Sequence, residues 1–212
     1  MGKHRAASQR GLRRRRWSAA LAGGLVLGLG ATVTLAAWND SEFATGTFGA
    51  SVFDLESKSA GAGTTTYASR TSAPGASLAF SATAMSPSVS HYAWLDIRTT
   101  VASTVGGTVT LTGVTNNSGG LVGALEYRAV RMPSAASTCD ATAFSGSPTF
   151  IAGGSSTYLA VTTVPGSPVT NPIAAAGAEL GFCFDVRVAA NAANSYQGTT
   201  ATVTWSFTGT SN

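Results

Sequence analysis

Residues 201–210 read ATVTWSFTGT and alternate without a break. Ala201, Val203, Trp205 and Phe207 fall on one side of an extended chain, and Thr202, Thr204, Ser206 and Thr208 fall on the other. A helix cannot separate such a pattern into two faces. A strand does so at every step, because successive side chains point to opposite sides. The apolar members are β-branched or aromatic, which suits a half-buried pleated surface.

The same period recurs along the chain. SLAFSAT (77–83) alternates Leu78, Phe80 and Ala82; YAWLDIRTTV (92–101) sets Ala93, Leu95, Ile97 and Val101 against Tyr92 and Trp94. GTVTLTGV (107–114) alternates Val109 and Leu111, and residues 121–131 and 157–164 are further candidate strands. ELGFCFDVRV (179–188) is nearly continuous, with Phe182, Phe184, Val186 and Val188 on one face. Turn signals separate these runs: Pro74-Gly75, Gly106-Gly107, NNSGG at 116–120, Pro165-Gly166 and Asn171-Pro172. STCDATAF (137–144) suits one short helical turn. Short strands at this spacing predict an all-β, antiparallel β-sandwich, jelly-roll-like in its connections. The exposed faces would be mostly Thr and Ser, with few charges to keep edge strands from pairing with other chains.

Composition matters most for where the charge lies. The chain carries +4, yet seven of its 13 Lys and Arg precede residue 37 and all nine Asp and Glu follow it, leaving a net −3 thereafter. The basic character therefore belongs to the N-terminus and argues for no nucleic-acid partner. Residues 1–16 form a positive region, and the apolar run AALAGGLVLGLGATVTLAA (19–37) follows, diluted by four glycines. With the small pair Thr34 and Ala36 after it, the segment reads as a signal helix, residues 1–36, cleaved between Ala36 and Ala37. The membrane is then met only through this leader, before cleavage. Trp17 and Ser18 fit a twin-arginine signal poorly after Arg13–Arg16, which favours the general secretory route. An uncleaved anchor is the alternative. No LPxTG sorting signal is present. The expected organisation is a leader (1–36), an N-terminal segment (37–56) and a sandwich domain (57–212).

Export puts the two cysteines, Cys139 and Cys183, in an oxidising compartment, where an isolated pair bridges. Closing a loop of this length is worth about 4 kcal/mol of chain entropy as an upper guide. No CxxC or cysteine–histidine motif suggests a redox or catalytic thiol.

The junction TLAAWNDSEFATGTFGASVFDLES (34–57) carries a small-residue cleavage site, then Trp38-Asn39-Asp40, Gly46-Thr47-Phe48 and Val52 to Leu55. It resembles the exported family processed by SipW-type signal peptidases, which includes the biofilm fibre protein TasA and camelysin. The tail YQGTTATVTWSFTGTS (196–211) is similar to the closing strand of actinobacterial members. The resemblance implies a jelly-roll-like sandwich and self-association into extracellular matrix fibres. In such fibres the segment freed by cleavage completes the sheet of the next subunit. Here that donor would start at Ala37 and use Trp38, Phe43 and Phe48 as contacts. The competing reading makes residues 43–55 the first strand of their own sheet.

Catalytic chemistry is not expected. Camelysin is described as a metalloprotease, but a zinc protease needs several ligands and a base, and His91 is the one histidine beyond the leader. The close carboxylate pairs, Asp40/Glu42 and Asp54/Glu56, lack a calcium-type loop. A hydrolase would need His91 with Asp96 or Asp185, and no GxSxG elbow occurs. No phosphate-binding GxGxxG precedes a helix. No metal and no cofactor is therefore expected. Trp94 and Trp205 suggest a sugar platform, set against plain core packing. The reading is a secreted structural or surface protein, not an enzyme. A monomeric glycan or cell-wall binding module is the alternative, and a camelysin-like protease comes last.

Overall fold

The computed structural model describes residues 42, 44–72, 75–80 and 84–212, with Asn116 and Asn117 described by backbone alone. The signal helix, the cleavage site at Ala36 and Ala37, and the aromatic residues Trp38 and Phe43 lie outside the described residues. The chain divides into Met1–Phe48 and Gly49–Asn212, and every strand described here belongs to the second unit.

The strands are β1 (Leu55–Ser59), β2 (His91–Thr99), β3 (Gly107–Ser118), β4 (Leu125–Arg131), β5 (Thr149–Ala152), β6 (Leu159–Ala160), β7 (Thr170–Ile173), β8 (Glu179–Val188) and β9 (Thr202–Ser211). The larger sheet runs β1-β2-β8-β4-β5, with β6 also on β4; the smaller runs β7-β3-β9. All pairings are antiparallel. The fold is an all-β sandwich, as the alternation predicts.

The inner faces meet as the period-two reading requires. Leu95, Ile97, Tyr127, Phe182 and Phe184 of the large sheet pack with Val109, Leu111, Ile173, Trp205 and Phe207 of the small one. The rings interlock: Phe182–Phe207 at 5.0 Å, Phe184–Trp205 at 5.1 Å and Tyr127–Trp205 at 5.7 Å between centroids. Offset and tilted aromatic pairs add to the area they bury. Burial also pushes the Tyr127 hydroxyl up to about 12.

The large sheet is covered on its other face too. Val130, Met132, Phe144 and Cys183 form a second core with Tyr92, Trp94, Cys139 and Phe150. Residues 132–148 supply this layer, and the Cys139–Cys183 disulfide ties it to β8 across a Cα separation of 5.3 Å. Gly181 permits the close approach: a β-carbon there would stand 2.9 Å from the Ala135 Cα. A 3-10 turn, Ala141–Phe144, lies within the expected helical stretch, and the Asp140 carboxylate caps it by accepting from the Thr142 amide at 2.8 Å. Covering on both faces explains why β8 is apolar almost throughout instead of alternating.

Several expectations are corrected. SLAFSAT is not a strand: residues 77–80 have no regular structure, and 81–83 lie outside the described residues. Residues 121–131 divide into a 3-10 turn, Gly120–Ala124, and β4. The 157–164 candidate shrinks to β6. Strand β3 continues through the first residues of the expected NNSGG turn, with register shifts on the way. Asn171-Pro172, taken for a turn, lies within β7, a strand at the edge of its sheet where Pro is tolerated.

Candidate functional site

The smaller sheet is too narrow for the larger one. Strand β9 pairs with β3 on one side, and no described strand pairs with its other side. Beside β9 lies a groove of about 1560 Å³ whose lining includes Leu95 and Ile97 of β2 together with Phe53 and Leu55, both of which come close to Gly209 of β9. Every residue from Ala201 to Phe207 borders it, inward and outward members alike. A groove on the face of a strand would meet alternate residues. This one therefore runs along the edge of the strand. Its volume exceeds the roughly 300–1,000 Å³ of ordinary small-molecule pockets.

The segment after Gly75 lines part of the groove. Leu78, Phe80 and Met85 pack on the main core, and the Phe80 ring lies 6.3 Å from Trp205. Ser77 starts this segment and is held firmly: Ser59 Oγ donates to its carbonyl at 2.6 Å, and Thr64 Oγ1 lies 2.8 Å from Ser59 Oγ. Ser59 and Thr64 are both buried. A β-carbon on Gly61 would overlap the same Ser77 carbonyl, so only glycine fits.

Of the expected assembly contacts, Phe48 is described. It is 94% exposed. Residues 44–51 are exposed and join no strand. Regular pairing begins at Leu55, later than the resemblance implies. Val52 instead bonds to the turn after β2, its amide donating to Thr104 Oγ1 at 2.9 Å and its carbonyl accepting from the Thr104 amide at 2.9 Å. Residues 43–55 thus do not form the first strand of their own sheet among the described residues.

The other candidates are kept apart. His91 begins β2 on the side of Ala93 and Leu95, whereas Asp96 and Asp185 belong to the opposite face, so no triad forms. Trp205 lies in the main core and Trp94 in the second one, on the other side of the large sheet, so they make no shared sugar platform. Among the described residues no three His, Cys, Asp or Glu side chains converge as metal ligands.

One pattern escapes a strand-by-strand reading. Four strands carry an acid and a base two residues apart: Glu56/Lys58, Asp96/Arg98, Glu126/Arg128 and Asp185/Arg187. Antiparallel register sets each acid opposite a base, pairing Glu56 with Arg98, Lys58 with Asp96, Glu126 with Arg187 and Arg128 with Asp185. The contacts are 2.8, 3.6, 2.6 and 2.9 Å in that order. Tyr67 lies between Lys58 and Arg98, 4.5 and 4.0 Å from its ring centroid, and burial raises its hydroxyl above the usual tyrosine range. Tyr158 donates to Asp185 Oδ2 at 2.7 Å and stacks under Arg187 at 3.5 Å. The acid–base repeat was visible in the sequence, but its meaning depends on register.

Asp96 is the costly member. It is 2% exposed, Lys58 is its one ion-pair partner, and its Oδ1 has no hydrogen-bond partner among the described residues. Burial pushes its carboxyl up from 3.8 to about 6, and Lys58 opposes this only in part.

The disulfide fits an extracellular setting, and among the described residues no helix is long and apolar enough to cross a membrane. Compared with known proteins, the chain matches no protein-family model and no curated protein.

Proposed function

We propose that this protein is an exported structural subunit that assembles by strand addition, the segment beginning at Ala37 of one copy lying beside β9 of the next, on the side where no described strand pairs. One observation carries the reading: among the described strands the small sheet ends at β9, a long groove lies beside it, and residues 44–51 are exposed and join no strand. Backbone groups along β9 would bond the incoming strand, and aromatic side chains would fill the groove. The lengths agree. Residues 37–49 reach roughly 43 Å when extended, against about 33 Å for a ten-residue strand such as β9. Before processing by a SipW-type signal peptidase, the leader would keep the segment at the membrane.

This reading takes the resemblance at the junction as homology, with Trp38, Phe43 and Phe48 as the seated residues. Export rests on the leader, and the disulfide accords with it. No enzymatic activity is assigned. The test is electron microscopy of purified protein beginning at Ala37 beside a version lacking residues 37–49. Fibres from the first and none from the second are expected. Monodisperse particles from both would overturn the proposal and favour a monomeric binding module, to be tried on a glycan and peptidoglycan panel.

A further inference from the structure

Among the described residues, three of the four cross-strand ion pairs use arginine and one uses lysine. That residue, Lys58, is the only lysine beyond Lys3. The difference is chemical. A guanidinium keeps its charge and is no nucleophile, whereas an amine that gives up its proton attacks carbonyl carbon. The lysine also stands opposite the acid that the fold tolerates least. Lys58 and Asp96 are direct partners in the β1–β2 register, and Nζ lies 3.6 Å from Oδ2. That separation is close to the contact distance of groups poised to react.

The surroundings favour uncharged partners. Asp96 is buried, and its Oδ1 has no hydrogen-bond partner among the described residues. Arg98, on the same face of β2, is engaged by Glu56 through Nε at 3.0 Å and Nη2 at 2.8 Å. Gly181 pairs with Asp96 from β8, and Glu179, two residues before it on the same face, adds a like charge. Burial first, and Glu179 to a lesser degree, lift the Asp96 carboxyl from 3.8 to about 6 against the pull of Lys58. The Tyr67 ring covers the amine, 4.5 Å from Nζ to its centroid.

We infer that Lys58 and Asp96 condense into an intramolecular isopeptide bond, a covalent tie between β1 and β2. The Lys58 ammonium first passes a proton to the Asp96 carboxylate. The lone pair of the neutral amine then attacks Cγ and forms the C–N bond. One carboxyl oxygen leaves as water, taking the acid proton and a second proton from the nitrogen. Nothing is oxidised or reduced, and no co-reactant is needed. A carboxyl raised from 3.8 to about 6 makes the initial proton exchange roughly a hundredfold more favourable. Register holds amine and carboxyl together, which replaces a bimolecular encounter, and the product removes a charge that burial penalises. The neutral pair remains a minor population, so newly folded chain holds the ionic pair and the bond accumulates with time. Strand β1 is the edge of the large sheet and follows the N-terminal segment. The tie keeps it from peeling off β2. The bond does not depend on strand addition.

The experiment holds the processed chain folded at pH 7.5 and follows its intact mass over weeks by mass spectrometry. Lys58→Arg runs beside it, keeping the charge without a nucleophilic amine, and near-ultraviolet circular dichroism checks that both chains are folded. The parent should lose one water and the variant none. Trypsin should then fail to cut the parent after Lys58, and the peptides of residues 37–70 and 71–98 should be recovered joined through Lys58 and Asp96. A parent mass that stays constant, an equal loss of water in Lys58→Arg, or a loss that maps to other residues would each overturn the inference.

Discussion

Asp96→Asn should make the protein more stable at neutral pH, even though it removes one partner of an ion pair. Asp96 is nearly inaccessible, its one ion-pair partner among the described residues is Lys58 at 3.6 Å, whose side chain is 28% exposed, and one carboxylate oxygen has no hydrogen-bond partner among them. Its carboxyl is raised from 3.8 to about 6 in the folded chain. A raised folded value means that the native state holds the proton more tightly than the unfolded state. Stability therefore rises as pH falls through about 6, and the gain is complete only below the unfolded value. At 1.36 kcal/mol per unit the ionised carboxylate costs the fold about 3 kcal/mol at pH 7.5. An amide has nearly the same shape and no charge to desolvate, and Lys58 can turn to solvent. The variant should gain up to about 3 kcal/mol at pH 7.5, shrinking below about 1 kcal/mol at pH 4. Urea unfolding of the oxidised, processed chain at both pH values measures this, and the difference between the two chains cancels other titrating groups. A variant less stable than the parent at pH 7.5 would refute the reasoning, because the Lys58 pair would then outweigh the burial of its charge.

Other consequences are equally direct. Replacing Cys139 and Cys183 by Ala releases the outer layer from β8 and should cost up to about 4 kcal/mol, a fall in Tm of roughly 8–16 °C by calorimetry; an unchanged Tm would show that the layer holds without its tie. Arg128→Ala leaves the fully buried Asp185 without its cation and should cost about 3–5 kcal/mol. The double change Arg128→Met with Asp185→Leu should cost less than that single one, and a larger loss would mean that the pair stabilises the fold outright.

Chain-local physics explains which parts of the molecule could be read in advance. Alternation over 201–210 placed Val203, Trp205 and Phe207 inside and Thr202, Ser206 and Thr208 outside, and the sandwich follows from that pattern repeated in β2 and β3. The disulfide was legible because two cysteines have one way to pair within the chain. Where the reading failed, a second element had overruled the local signal. SLAF alternates like a strand, but the Ser77 carbonyl accepts from the Ser59 hydroxyl and residues 77–80 take no regular structure. Asn171-Pro172 looks like a turn and serves as a strand, because an edge can spare the missing N–H. Trp94 was weighed between a sugar platform and core packing, and the second core under residues 132–148 takes it with Tyr92.

The sequence by itself determined the class of fold, the inward side of its principal strands, the cysteine bridge and the division between basic N-terminal residues and an acidic remainder, since each depends on neighbours a few residues apart or on a simple count. Only the tertiary structure decided that the small sheet stops at β9, that acids and bases two residues apart meet across strands, and that Asp96 sits buried beside one lysine. Those facts belong to pairing register and layer width, which are set by segments tens of residues away and leave no period in the chain to read.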